Sequence, residues 1–207
     1  ASDPVCSGEN RNRITDHYGT VGGGYANRAG DDAGTTSDSA WATVGGGQAN
    51  TASGEHSTVG GGDFNTASGT ISVVGGGFGN TASSFASTAG GGDRNTASGD
   101  RSTLGGGFLN TASGNRSAIG GGDQNSASGG NATIGGGADN DASGNRSTVG
   151  GGDRNTASGD RSAVGGGSLN CAGGTFSWAG GQTAKVRPGT DPGGTGACSG
   201  LTYPGGG

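Results

Sequence analysis

The chain has 207 residues, a formal net charge of −5 at neutral pH, 55 glycines and a hydrophobic fraction of only 27%. The negative charge argues against a nucleic-acid partner, which would require a basic surface stripe. No apolar run approaches the roughly 20 residues that a membrane-spanning helix needs, so we also expect no membrane insertion. Glycine recurs with a period of fifteen and not of three, which excludes collagen.

Residues 1–20 are predicted to be an N-terminal lead-in segment that is partly in the register of the later repeats. Asn12 precedes Val21 by nine residues, the same interval as from Asn50 to Val59. This register assigns Ile14 to an inward-facing column. The interval from Val21 to Val44 is longer than one repeat, and we expect the extra residues, about 30–41, to bulge as a corner insertion.

Residues 21–181 are predicted to form one array of near-identical repeats. The repeat at residues 57–71 reads STVGGGDFNTASGTI, and the residue before its glycine triplet recurs every fifteen positions. These residues are Val44, Val59, Val74, Ala89, Leu104, Ile119, Ile134, Val149, Val164 and Ala179. A fixed short period indicates one supersecondary unit stacked on itself.

Each repeat contains two short segments that favour extended backbone. The glycines make a helix unfavourable, since each costs roughly 0.5–1 kcal/mol relative to alanine. Alternation along a strand places Val59 and Ala67 inward and the neighbouring Thr58 and Thr66 outward. We therefore predict an all-β parallel β-solenoid, or β-roll, of about ten fifteen-residue coils. A bundle of polyglycine-II helices is the alternative fold.

One asparagine in each repeat is predicted to form a structural ladder. Identical amides stacked at strand spacing can bind one another and the turn backbone. The column comprises Asn50, Asn65, Asn80, Asn95, Asn110, Asn125, Asn140, Asn155 and Asn170.

Several large apolar residues fall at the corner that follows the glycine triplet, where an isolated coil would expose them. A line of exposed apolar residues along one edge suggests a subunit interface. The interface candidates are Phe64, Phe78, Phe108, Leu109 and Leu169, together with Trp41 of the insertion.

Residues 182–207 are rich in proline and glycine, and we predict a C-terminal cap or connector. Cys171 replaces an outward threonine, and a disulfide to Cys198 would staple this segment to the last coil. Cys6 would then remain for an intermolecular bond or as a free thiol. Three cysteines in such a chain favour an oxidising, extracellular location.

No arrangement of residues typical of an active site is evident. His17 and His56 are isolated, no His/Cys/Asp spacing fits a zinc site, and the glycine runs do not lead into a helix. We therefore predict a protein that is not an enzyme and that uses no metal and no cofactor.

The recurring Ser-x-Val/Ile-Gly and Ala-Ser-Gly segments over residues 12–181 resemble the head repeats of trimeric autotransporter adhesins and related tail-fibre proteins. The resemblance implies a left-handed parallel β-roll, side-by-side homotrimers and binding to host surfaces. We expect a secreted structural subunit of a fibre or cell-surface appendage with an adhesive role. Its partners would be copies of itself, as a homotrimer or a head-to-tail filament, and a host-surface glycan or protein.

Ice binding is the alternative function. Most coils carry a threonine and, two residues later, a serine on the same face, so that stacking would form two parallel hydroxyl columns. Ser126 and Asp141 interrupt the threonine column. The pairs are Thr51 and Ser53, Thr66 and Ser68, Thr81 and Ser83, Thr96 and Ser98, and Thr111 and Ser113.

Overall fold

The computed structural model describes residues 11–33 and 37–186, which contain twenty-three short β-strands and no helix. The strands are β1 Arg13–Ile14, β2 Thr20–Val21, β3 Arg28–Ala29, β4 Thr43–Val44, β5 Thr51–Ala52, β6 Thr58–Val59, β7 Thr66–Ala67, β8 Val73–Val74, β9 Thr81–Ala82, β10 Thr88–Ala89, β11 Thr96–Ala97, β12 Thr103–Leu104, β13 Thr111–Ala112, β14 Ala118–Ile119, β15 Ser126–Ala127, β16 Thr133–Ile134, β17 Asp141–Ala142, β18 Thr148–Val149, β19 Thr156–Ala157, β20 Ala163–Ser168, β21 Cys171–Ala172, β22 Trp178–Gln182 and β23 Lys185–Val186. Within the same part of the chain, no segment forms a helix that could cross a membrane.

The strands form two parallel sheets that face each other across a narrow core. The odd-numbered strands make a twelve-stranded sheet, the first sheet, and the even-numbered strands make an eleven-stranded sheet, the second sheet. Neighbouring strands pair residues fifteen positions apart, such as Ala67 with Ala82. The predicted parallel β-solenoid is confirmed, and it has about eleven coils.

The core consists of two inward-facing columns. Val59, at the end of β6, and Ala67, at the end of β7, are both fully buried, as the alternation of the two strands predicts. The same positions in the other coils between residues 44 and 179 are at most 2% exposed. Since alanine fills one whole column, the two sheets lie close together and the core is thin.

Each coil turns at two edges, and each edge contains a residue in the left-handed backbone conformation. Phe64 has φ 59° at the edge after the glycine triplet, the first edge, and Ile71 has φ 52° at the other, the second edge. The amides of both residues donate to carbonyls of the preceding coil, Phe64 to Gln48 (2.9 Å) and Ile71 to Glu55 (2.8 Å). These hydrogen bonds offset the cost of a conformation that a side chain disfavours.

The turns also explain why the strands are shorter than the sequence suggests. The extended segments expected in each repeat, such as residues 57–59 and 65–68, have three or four residues, whereas most strands have two. Ser57, before β6, is fully buried at the end of a turn, where its amide donates to the Gly54 carbonyl (3.0 Å). The serine therefore closes the turn and does not belong to the strand.

The two ends of the array depart from the regular pattern. Ile14 pairs with Ala29 in the predicted register and so lies in the alanine column, but its side chain is 55% exposed because no described coil precedes it. At the other end, β23 extends the first sheet into the segment predicted as a cap or connector. Cys171 pairs with Lys185, so the last interval is fourteen residues and not fifteen.

Candidate functional site

The asparagine column runs through the described coils as a continuous hydrogen-bonded spine. Asn80 Nδ2 donates to the Gly76 carbonyl of its own coil (2.9 Å) and to the Gly92 carbonyl of the next (2.8 Å). Its Oδ1 accepts from the backbone amide (2.9 Å) and Nδ2 (3.1 Å) of Asn95. The nine predicted asparagines are all buried, with at most 1% exposed. The column is therefore part of the interior and offers no surface to a ligand.

Five of the interface candidates share the first edge. Phe64, Leu109 and Leu169 occupy its left-handed position, and Phe78 and Phe108 precede that position in their coils. Their side chains are between 36% and 52% exposed. The structure therefore places these five residues along one edge, where they make an interrupted apolar stripe.

Charged residues interrupt that stripe at regular intervals. Asp63, Phe78, Asp93 and Phe108 are successive neighbours along the first edge. The Phe64 and Phe78 rings meet edge to face with centroids 5.7 Å apart, and the Arg94 guanidinium lies 5.7 Å from the Phe78 ring centroid. Because the aspartates occupy alternate coils, like charges are separated by two strand spacings and repel less.

Trp41 does not join this stripe, because it lies on the second edge. Its ring stacks on Tyr18 with centroids 4.1 Å apart and an interplanar angle of 11°. The opposite ring face lies parallel to His56, with centroids 6.0 Å apart. Both faces of the indole are thus occupied by neighbouring coils, and an edge of the ring remains for solvent.

The outward threonines of the first sheet are in strict register. Thr51, Thr66, Thr81, Thr96 and Thr111 pair in sequence across five consecutive coils. The column then continues through Ser126 and Asp141 before it returns to threonine.

Asp141 is the only acidic residue among the described members of that column. Burial raises the pKa of its carboxyl, and a hydrogen bond from Ser143 Oγ to Oδ2 (2.9 Å) opposes part of this shift. The ionised form of the Asp141 side chain is therefore less favourable in the folded protein than in water.

The most exposed large apolar side chains lie at the two ends of the described solenoid. Ile14 and Tyr18 on the first described coil are 55% and 68% exposed, and Phe176 and the first residue of β22, Trp178, are 70% and 66% exposed. No large apolar residue in the coils between them exceeds 52% among the residues described. The apolar surface is therefore greatest where the stacking of coils ends.

Three aspartates that were not predicted to form a site converge at the insertion. Asp16, Asp31 and Asp38 each offer a carboxylate oxygen, and these atoms lie within 4.8 Å of one another. Asp16 and Asp31 are fifteen residues apart and occupy the position that glycine fills at Gly54 and Gly69. This substitution at the repeat period is the sequence signal that would have paired Asp16 with Asp31, and Asp38 has no such signal.

Cys171 lies in β21 beside Thr156 and is 7% exposed. Cys6, Cys198 and most of the predicted cap lie outside the described residues, so the proposed disulfide stays a prediction. No protein-family model matches the chain, and no curated protein shows significant similarity to it.

Proposed function

We propose that this chain is a structural, non-enzymatic subunit of an extracellular fibre or cell-surface appendage, and that it assembles with copies of itself. The observation that carries the proposal is the concentration of exposed apolar residues at the two ends. Ile14, Tyr18, Phe176 and Trp178 are the four most exposed large apolar side chains among the described residues. Apolar surface of this kind on a soluble repeat protein is typical of an interaction site.

The repeat geometry explains how the ends would associate. The end coils of a solenoid present strand edges, which template another strand unless they are covered. Tyr18 and Phe176 occupy the same position on the second edge, so a copy docked in register would stack these rings as Tyr18 stacks on Trp41. The contact joins unlike surfaces, and contacts of this type produce open filaments when they do not close into rings.

Lateral association through the first edge is the competing mode of assembly. The stripe of Phe64, Phe78, Phe108, Leu109 and Leu169 would pack between chains lying side by side. The resemblance to autotransporter adhesin heads supports this homotrimer and an adhesive role toward a host-surface glycan or protein. A secreted location would allow Cys6 and Cys198 to lock a junction between copies.

Electron microscopy and sedimentation velocity on the full chain would test the proposal. We expect elongated particles whose length increases with protein concentration. The double variant F176S/W178S should abolish end-to-end growth, because it removes the apolar surface of one end. The matched lateral variant F78S/F108S should leave that growth intact and reduce only side-by-side association. Wild-type protein that sediments as a monomer at every concentration would contradict both modes.

Ice binding is a second candidate, favoured by the five in-register threonines of the first sheet. Flat arrays of hydroxyl and methyl groups at strand spacing are suited to ordering water. If the face binds ice, T81K/T96K should abolish thermal hysteresis, and T133K/T148K on the second sheet should not. The absence of thermal hysteresis in the wild-type protein would exclude this function.

A further inference from the structure

We propose that the acidic group beside the insertion is a binding site for a divalent cation, with Ca²⁺ the best fit, a role distinct from assembly. Asp16, Asp31 and Asp38 place one carboxylate oxygen each within 4.8 Å of the others. Three negative charges at this separation repel strongly unless a cation lies among them. The ligands are all oxygens, which hard cations prefer.

The burial of Asp16 is the second observation that points to an ion. Its side chain is only 5% exposed, and Oδ2 accepts from the Asp31 amide (2.9 Å) and Thr15 Oγ1 (3.2 Å). The other oxygen, Oδ1, is enclosed and has no hydrogen-bond partner. Because the two oxygens of a carboxylate share one carbon atom, Oδ1 lies close to the acidic group whichever oxygen of Asp16 faces Asp31 and Asp38. A buried carboxylate oxygen without a partner is costly, and coordination to a cation would satisfy it.

The nearest arginines do not supply the missing positive charge. Arg13 and Arg28 both bind Asp32, at 2.8 Å and 3.0 Å. Within residues 11–33 and 37–186, neither Asp16 nor Asp31 takes part in an ion pair. The arginines therefore neutralise Asp32, and no ion pair among the described residues offsets the charge of Asp16 or Asp31.

Gly30 lets the backbone at the start of the insertion approach Asp16 closely. Gly30 has φ 114°, and a Cβ there would lie 2.1 Å from Thr15 Oγ1 and 2.2 Å from Asp16 Oδ2. Glycine therefore allows the start of the insertion to lie directly against Asp16. Ca²⁺ takes six to eight oxygen ligands in irregular geometry, so carbonyl and water oxygens would complete its shell, whereas Mg²⁺ demands a near-ideal octahedron.

Terbium luminescence on the full chain tests the site directly. Tb³⁺ is a hard, oxygen-seeking substitute for Ca²⁺, and Tyr18 and Trp41 lie two and three residues from Asp16 and Asp38, close enough to sensitise its emission. We expect a saturable signal that added Ca²⁺ suppresses. D16N keeps the shape of the side chain and removes one charge, and it should weaken Tb³⁺ binding at least tenfold. D63N, on the first edge, is the matched control and should bind as the wild type does.

Circular dichroism would verify that each variant is folded. If D16N does not fold, D38N replaces an exposed ligand and should show the same tenfold loss with the fold intact. Calcium should also raise the melting temperature of the wild type, and EDTA should reverse the increase. An unsaturable signal, a signal that Ca²⁺ does not suppress, or equal binding by the wild type and a folded D16N or D38N would overturn the proposal.

Discussion

Two adjacent glycines in one coil, Gly61 and Gly62, have opposite steric surroundings. A Cβ added to Gly62 would lie 2.2 Å from the Gly77 carbonyl oxygen, and the residue has φ 81°. A Cβ added to Gly61 would meet only the Gly46 carbonyl oxygen, at 4.0 Å. The third glycine of the triplet is thus required for the close approach of two coils, and the middle glycine is not.

We expect G62A to lower the free energy of unfolding by about 3 kcal/mol or more, since it combines a left-handed alanine with a backbone clash. G61A should change the free energy of unfolding by no more than about 0.5 kcal/mol, as an unhindered surface substitution does. Chemical denaturation of both variants measures the difference. Equal destabilisation by the two alanines would mean that coil contact does not explain the glycine triplet.

At the same scale, the sequence predicts the inward residues but not the left-handed ones. Val59 and Ala67 could be assigned from alternation alone, because a strand fixes which face each residue occupies. Ile71 gives no such signal, since a β-branched residue normally avoids positive φ. Its conformation depends on the hydrogen bond to Glu55 of the preceding coil, a contact that becomes evident only once the coils are stacked.

At the scale of the element, the asparagine spine joins each coil to the next. In N110L, an apolar side chain of similar size would replace the amide. The Gly106 carbonyl and the Asn125 amide would lose their hydrogen bonds to this side chain, whereas the Gly122 carbonyl would keep the bond from the Phe108 amide (2.9 Å). Each unsatisfied group costs about 1–3 kcal/mol, so we expect at least about 2 kcal/mol of destabilisation. N115L changes an exposed asparagine of the following turn and should have little effect on the denaturation midpoint.

The raised pKa of Asp141 predicts a pH-dependent stability of the first sheet. Folding favours the protonated carboxyl, so the stability that this group contributes is present at acid pH and is lost as the pH rises through its folded-state pKa. D141T should therefore raise the melting temperature at neutral pH, and the gain should shrink as the pH is lowered. S126T, an uncharged change in the same column, should give a difference that does not vary with pH. A constant gain for D141T would refute the electrostatic explanation.

At this scale, neither the acidic group nor the stack of Tyr18, Trp41 and His56 could be predicted from the sequence. Both depend on how the insertion is accommodated between two coils, and the sequence locates the insertion without indicating its path. The threonine and asparagine columns could be predicted because an unbroken period fixes their register. Where the interval between repeats changes, the contacts between residues depend on the path of the inserted segment, which the repeat period does not determine.

At the scale of the whole molecule, each coil contacts only its two neighbours, so stability should be close to a sum over coils. Deleting residues 103–117 removes one period and joins Ser102 to Ala118 in the correct register. We expect a cooperative fold, shorter by about 4.8 Å in solution scattering, with a slightly lower melting temperature. Deleting residues 103–110 would place a strand of the first sheet in the second sheet. That variant should lose its sheet signal in circular dichroism, and normal folding of it would contradict the register.

The hydrogen bonds between coils, such as those of the asparagine spine, lie along the long axis of the solenoid, and this orientation has a mechanical consequence. A force that pulls the two ends apart loads the coils in series, so the outermost coil opens first. Each coil that opens exchanges about 4.8 Å of solenoid for fifteen residues of chain, which extend to about 50 Å. A fibre built from such units would lengthen roughly tenfold before any covalent bond was strained, and it could rewind coil by coil when the load was removed. Such a fibre would dissipate the energy of a sudden pull rather than transmit it.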